Sequence, residues 1–134
     1  MHIKFTFALA AVALLVKFFA IISTDFDLFG DEAQYWIWSR NLDFGYYSKP
    51  PLLAWVIGIF SLLIGSSFEM LKIIPISLYI LSSLVIGLIS KELYDNKKIA
   101  LLSGLTFYLL PAVSVSSFLI STDVILILFW SLSL

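Results

Sequence analysis

The stretch "FTFALAAVALLVKFFAIIS", residues 5–23, carries one charge in an otherwise almost wholly apolar run. At about 1.5 Å per helical residue it is long enough to cross a hydrocarbon core of roughly 30 Å. A cleaved signal peptide is the competing interpretation, because His2 and Lys4 form a short basic start. The small residues that a cleavage site needs lie inside the apolar run rather than after it. We therefore predict a retained first span, with Lys17 extending its ammonium to the far interface.

The composition of the whole chain indicates the same solvent. Hydrophobic residues make up 61% of the 134 residues and charged residues 13%, whereas an ordinary soluble domain is about 25% charged. The solvent is therefore a bilayer, and the predicted fold class is an all-α polytopic membrane protein. The net charge of −1 offers no basic excess, so nucleic acid is excluded as a partner. The absence of cysteine excludes disulfides and thiolate metal sites.

The number of crossings depends on the segment from Pro51 to Gly65, which is apolar but shorter than the usual ~20 residues of a span. If it crosses, the loop "KELYDNKK" at 91–98 falls outside with its lysines and breaks the positive-inside rule. If it is a juxtamembrane or re-entrant helix on the outer side, that loop is cytoplasmic and the rule holds. We therefore predict span 1 at 5–23, an outer loop with juxtamembrane helices at 24–66, span 2 at 69–90, a cytoplasmic loop at 91–98, span 3 at 99–120 with a bend at Pro111, and the start of span 4 at 123–134. Because the chain stops inside this last apolar run, we expect it to be the N-terminal part of a longer protein.

The predicted outer loop carries most of the acidic residues of the chain: Asp25, Asp27, Asp31, Glu32 and Asp43. Within it, Tyr35, Trp38 and Leu42 recur at helical spacing and predict a short interfacial helix, which Gly45 would end as a left-handed cap. Asp31 and Glu32 lie at the start of this helix, where the positive helix end stabilises carboxylates. Capping would explain one of them. Two adjacent carboxylates exceed what a cap requires, so both are candidate catalytic groups.

Two further residues are candidates for the same outer site. In "YYSKPP", residues 46–51, the following proline pushes Lys49 toward extended backbone and holds its ammonium near a helix start, where it could bind a phosphate. Anchoring a helix at the interface is the competing interpretation for Lys49. In "STD", residues 121–123, Asp123 opens the last span on the same side as Asp31 on the predicted topology. A plain helix cap and a site residue both remain open for Asp123.

The order of these features, "DEAQYW", then "GYYSKPPL", then a lysine-bearing inner loop and an "STD" at a later span, resembles the GT-C membrane glycosyltransferases. The similarity is greatest to the protein O-mannosyltransferase and lipid A aminoarabinose transferase type. By this resemblance Asp31 lies at the reaction centre with Glu32 beside it, Lys49 binds the donor phosphate, and Asp123 lies close by. The aminoarabinose pattern has an acidic residue where this chain has Ser48 and a basic residue where it has Gln34. A general sugar transferase is therefore the better expectation.

The resemblance implies a glycosyltransferase that crosses the plasma or inner membrane several times and has its active site on the non-cytoplasmic side. It would invert the sugar as it moves it from a polyprenyl-phosphate donor to a lipid, glycan or protein acceptor. Asp31 would act as general base, and Lys49 would stabilise the departing phosphate. Asp123 would hold a divalent cation or orient the acceptor, and the cofactor requirement is unknown.

Two interpretations from other classes remain as alternatives. A transporter or channel subunit usually shows charges near the middle of its spans and often an internal repeat; here the charges lie at span ends and no repeat is visible. An inactive fragment with a structural membrane role would not need Asp31, Lys49 and Asp123 together.

Overall fold

The computed structural model describes residues 2–23 and 28–134, and these residues form seven helices and no strand. This architecture confirms the predicted all-α membrane fold. Of the predicted outer loop, residues 24–27 with Asp25 and Asp27 lie outside the described residues. The helices are α1 (His2–Ser23), α2 (Gly30–Arg40), α3 (Leu52–Ile64), α4 (Phe68–Tyr94), α5 (Lys97–Leu109), α6 (Pro111–Ser116) and α7 (Thr122–Leu132).

Two helices in the described part of the chain are long and apolar enough to cross a membrane, Lys4–Ser23 within α1 and Glu69–Tyr94 within α4. Helix α4 continues four residues beyond the predicted end of span 2, so the predicted loop at 91–98 narrows to a turn. Asp95 adopts a left-handed conformation with φ of 43° and ends α4. The Asn96 side chain then accepts hydrogen bonds from the backbone N–H groups of Lys98 and Ile99 and starts α5.

The α4–α5 hairpin that follows from this turn is packed closely enough to exclude a side chain. A Cβ atom added to Gly104 would lie 2.6 Å from the backbone oxygen of Ser83. The Ser83 hydroxyl donates to the Gly104 carbonyl at 2.7 Å, so a side chain of α4 is hydrogen-bonded to the backbone of α5. Glycine at 104 is therefore a requirement of this contact.

The predicted third span, 99–120, is not one bent helix. Helix α5 ends at Leu109, Leu110 is extended with ψ of 132°, and α6 begins at Pro111. The residue before a proline disfavours helical backbone, and a proline fits the first position of a helix, where no N–H is needed. Pro111 therefore breaks the segment into two helices, whereas the sequence predicted a bend.

The segment that the sequence predicts as an outer loop contains two packed helices, α2 and α3, and their ends differ from the predicted ones. Helix α2 stops at Arg40 with Asn41 as its C-cap, and Gly45 does not adopt the left-handed conformation predicted for it. Helix α3 is 13 residues long, which is about 20 Å and too short for a bilayer core of roughly 30 Å. It packs against α2 at Gly58, where an added Cβ would lie 3.3 Å from the Ser39 carbonyl oxygen.

The prediction for Lys17 is wrong in its geometry. Its side chain does not extend to an interface but is buried, with 3% of the residue exposed. The ammonium lies 4.3 Å from the centre of the Tyr108 ring on α5. Because a cation is attracted to an aromatic face, Lys17 joins α1 to α5.

Candidate functional site

A pocket of about 280 Å³ opens where the start of α2 faces the segment that precedes α7. Its walls combine an apolar side with a carboxylate, an ammonium and hydroxyl groups. Two of the four predicted site residues, Asp31 and Lys49, face into this space. The lining residues are Phe29, Asp31, Tyr35, Lys49, Leu119, Ile120, Ser121 and Thr122.

Asp31 and Lys49 form an ion pair in this pocket, with Nζ 2.8 Å from Oδ2. The Asp31 side chain is 76% exposed and the Lys49 side chain 25%, so the carboxylate is reachable from water while the lysine stem is partly covered. The hydrogen bond to Asp31 is the largest cause that raises the pKa of Lys49 above its usual value. The ammonium also lies 4.9 Å from the centre of the Tyr35 ring. The structure thus brings a cation and an accessible carboxylate together in one pocket.

The irregular segment between α2 and α3 is folded back so that Lys49 returns to the start of α2. The Tyr46 ring stacks on Trp38 at 4.5 Å between centres, and its hydroxyl donates to the Trp38 carbonyl at 3.0 Å. The Trp55 indole N–H donates to the Asp43 carbonyl at 2.9 Å and joins the same segment to α3. Proline after Lys49 then keeps that residue out of the following helix. Trp38, which the sequence predicts as part of an interfacial helix, therefore helps to hold the segment that carries Lys49.

The sequence also predicts Tyr35 to be an interfacial aromatic residue, but only 1% of its surface is exposed. Its ring meets Trp38 edge to face, with centres 5.7 Å apart, and supports the Lys49 ammonium from within. An interfacial residue of a single helix would face lipid headgroups. Tyr35 instead forms part of the core where α2 packs on its neighbours.

Glu32 is separated from Asp31 by its environment although the two are adjacent in sequence. Its side chain is 2% exposed, and both carboxylate oxygens contact the Lys72 ammonium on α4, at 2.8 and 2.7 Å. The same carboxylate accepts from the backbone N–H of Phe29, the N-cap residue of α2, at 2.9 Å, and from that of Ile120 at 2.7 Å. Each of the two Glu32 carboxylate oxygens thus accepts two hydrogen bonds, one from Lys72 and one from a backbone N–H. Glu32 is thus a buried structural group and does not share the pocket with Asp31.

Lys72 was missed by the sequence analysis. It lies in the predicted second span and is 1% exposed, with its ammonium also donating to the Phe118 carbonyl at 3.2 Å. A signal existed, because an ionisable residue inside an apolar span needs a partner and marks a site by default. That signal does not identify the partner, because Glu32 lies 40 residues before Lys72 in the chain.

Asp123 lies in the first turn of α7 and is exposed. The N-cap of α7 is Ser121, so Asp123 is the second residue of the helix and not its cap. It follows the pocket wall by one residue but does not line the pocket. In residues 2–23 and 28–134, no three His, Cys, Asp or Glu side chains are grouped closely enough to hold a metal ion.

Comparison with known proteins gives two matches. The family described as dolichyl-phosphate-mannose-protein mannosyltransferase matches residues 48–134. A lipid A galacturonosyltransferase of Rhizobium johnstonii, RgtD, is 42% identical over 109 residues, which are 81% of this chain and 23% of that protein. The chain thus spans about a quarter of the length of the curated relative that it matches. No solved structure matches the chain.

Proposed function

The chain belongs to the dolichyl-phosphate-mannose-protein mannosyltransferase family of the GT-C superfamily, and from this premise we propose that its outer site transfers a sugar from a polyprenyl-phosphate donor. One observation carries the proposal. A cation, Lys49, and an accessible carboxylate, Asp31, meet at 2.8 Å in one pocket. Transfer from a lipid phosphate needs these two groups, one to bind the leaving phosphate and one to accept a proton.

The proposed reaction is a direct displacement. The acceptor hydroxyl attacks the anomeric carbon, the bond from that carbon to the phosphate oxygen breaks, and its electron pair stays with the phosphate. The hydroxyl proton goes to the Asp31 carboxylate, a contribution of typically 10²- to 10⁴-fold to the rate. The Lys49 ammonium stabilises the phosphate as its negative charge grows, and so lowers the barrier more than it tightens ground-state binding. Attack in line with the departing phosphate inverts the anomeric carbon.

The ion pair between Asp31 and Lys49 has to separate during this reaction. While the Asp31 Oδ2 atom is bound to the Lys49 ammonium at 2.8 Å, that oxygen is not available to the acceptor hydroxyl. The donor phosphate competes for the same ammonium and thereby releases Asp31. We expect the donor to bind before the acceptor is activated, with the bilayer holding the lipid donor next to the site.

The same proposal includes the topology. Helices α1 and α4 cross the membrane, α2 and the short α3 lie on the outer side, and the turn between α4 and α5 is cytoplasmic. The lysines beside that turn, Lys91, Lys97 and Lys98, support this orientation by the positive-inside rule. Asp123, at the start of α7, is then on the same side as Asp31 and could orient the acceptor.

The acceptor and the sugar are chosen from the names of the relatives. The family name indicates mannose and a protein acceptor, while the 42% identical relative indicates galacturonic acid and lipid A. We propose galacturonic acid and lipid A as the first pair to test, because the similarity to that relative extends over 81% of the chain.

The experiment uses the full-length protein, purified and reconstituted in lipid. Labelled polyprenyl-phosphate galacturonic acid and polyprenyl-phosphate mannose are offered with lipid A or with a protein acceptor. Transfer of either label supports a transferase, and the preferred pair identifies its substrates. Binding of a polyprenyl phosphate without transfer to any acceptor would contradict the proposal and favour a carrier.

A further inference from the structure

The buried pair of Glu32 and Lys72 joins three parts of the fold behind the pocket. Glu32 belongs to the first turn of α2 and Lys72 to the second turn of α4. The third part is the segment before α7, and its backbone is hydrogen-bonded to both side chains of the pair. Ile120 donates its N–H to Glu32 at 2.7 Å, and the Phe118 carbonyl accepts from Lys72 at 3.2 Å. Both walls of the pocket are therefore held by the same two side chains.

We propose that Glu32 and Lys72 are positioning residues, which fix Asp31 opposite the segment from Leu119 to Thr122. This inference rests on the proposed function of Asp31 and Lys49. Glu32 follows Asp31 directly in the chain. The four contacts of the Glu32 carboxylate therefore fix a backbone position only one peptide unit from Asp31 and restrict where Asp31 can lie. A carboxylate that must meet an acceptor hydroxyl tolerates little displacement, and errors of about 1 Å can cost 10²-fold in rate.

A direct chemical role for Glu32 fits the geometry less well. Its side chain is 2% exposed, whereas that of Asp31 is 76% exposed. A proton from the acceptor would have to reach an oxygen that already accepts from Lys72 and from a backbone N–H. Protonating Glu32 would also leave Lys72 as an unpaired buried charge, which is costly. The pair therefore acts on the reaction through Asp31.

A set of matched substitutions in the full-length protein tests this role. Glu32→Gln and Lys72→Met each break the pair, while the double variant leaves no unpaired buried charge. We expect each single variant to lower kcat by about tenfold or more with little change in the donor KM, and the double variant to recover a large part of that loss. Lys91→Met, a lysine at the exposed end of the same helix, is the control and should keep both constants.

Specific results would overturn the proposal. If the double variant folds but is as slow as Glu32→Gln, Glu32 takes part in the chemistry itself. If Lys72→Met keeps the wild-type kcat, the pair positions nothing. Lys72→Arg keeps the charge and should retain most of kcat. If the other single variants fail to fold, the kcat of Lys72→Arg is the result that tests the proposal.

A measurement without turnover separates this inference from the proposed function. Spin labels at Ile37 on α2 and Leu126 on α7, both exposed, report the distance between the two helices whose starts flank the pocket. We expect a narrow distance distribution in the wild type and in the double variant, and a broader or displaced one in each single variant. Unchanged distributions in the single variants would overturn the positioning role, even if sugar transfer is confirmed. The same measurement remains valid if no sugar transfer is found.

Discussion

The Lys49 ammonium lies 2.8 Å from the Asp31 carboxylate, so the proposed phosphate-binding group and the proposed base neutralise each other in the free site. An exposed ion pair between a lysine and a carboxylate is easily exchanged, because water solvates both partners. A donor phosphate can therefore replace Asp31 at Lys49. The relationship links donor binding to the release of the base, and the first three predictions follow from it.

Replacing Asp31 by asparagine should nearly abolish sugar transfer. The change keeps the shape of the side chain but removes the group that accepts the acceptor proton, so we expect kcat to fall by about 10²- to 10⁴-fold. The measurement is transfer of labelled sugar from the polyprenyl-phosphate donor, with protein abundance in the membrane followed in parallel. Asp43→Asn makes the same change on the same loop, outside the pocket, and should be nearly silent. If Asp31→Asn retained most of the activity, Asp31 would not be the base, and its role would be limited to stabilising the start of α2.

Lys49→Ala should weaken donor use far more than Lys49→Arg. Alanine leaves the phosphate without its charged hydrogen-bond donor in the bound donor and in the transition state, so we expect the donor KM to rise about tenfold and kcat to fall by more than that. Arginine keeps the charge, although its planar fork suits a point-charge site imperfectly. Arg40→Ala removes a cation that stacks on Trp36 of the same loop and serves as control. Equal donor kinetics for the alanine and arginine variants would leave Lys49 as an interfacial anchor only.

Asp31→Asn should also shift the pH dependence of donor binding. Asp31 raises the pKa of Lys49, so in the wild type the ammonium persists to higher pH. Without that carboxylate Lys49 loses its proton at lower pH, and donor binding should fall off earlier on the alkaline side. Near neutral pH the variant should bind the donor at least as well, because no carboxylate competes. Retention of a labelled polyprenyl phosphate across a pH series measures this, and an unchanged alkaline limit would contradict it.

Much of the site could be predicted because its signals are local. The proline after Lys49 constrains that residue, and two carboxylates at a predicted helix start draw attention to Asp31. The division of labour between Asp31 and Glu32 could not be predicted, since it depends on Lys72, 40 residues further along the chain. Neighbouring residues at the start of a helix point in different directions, and only tertiary packing decides which one is buried.

The fold shows the same limit. Long apolar runs predict α1 and α4 reliably, whereas the break at Leu110 depends on whether a proline bends or ends its helix. The Lys17 ammonium could be expected to reach water from the sequence of α1 alone. It contacts Tyr108 instead because α5 packs alongside, a contact between residues that are far apart in the chain.

The proposed topology predicts opposite accessibility for two positions. The chain contains no cysteine, so single cysteines at Asp43 and Asn96 can be labelled individually. In intact cells an impermeant thiol reagent should label Asp43→Cys and not Asn96→Cys, because the proposed topology puts the lysine-flanked turn in the cytoplasm. After permeabilisation both should react, which controls for burial. Equal labelling of both positions in intact cells would exclude this topology.

Gly104→Ala should destabilise the membrane domain. The new Cβ would lie 2.6 Å from the Ser83 carbonyl oxygen, a backbone atom that cannot move without separating α4 from α5. Overpacking of this kind costs about 1–3 kcal/mol and outweighs the higher helix propensity of alanine, which is worth up to about 1 kcal/mol. Gly30→Ala is the matched control, since an added Cβ there meets no atom within 4 Å. Thermal unfolding of the purified protein in lipid should therefore show a lower Tm for Gly104→Ala and an unchanged or slightly higher one for Gly30→Ala. A Tm for Gly104→Ala as high as the wild-type value would mean that the two helices are not in direct backbone contact.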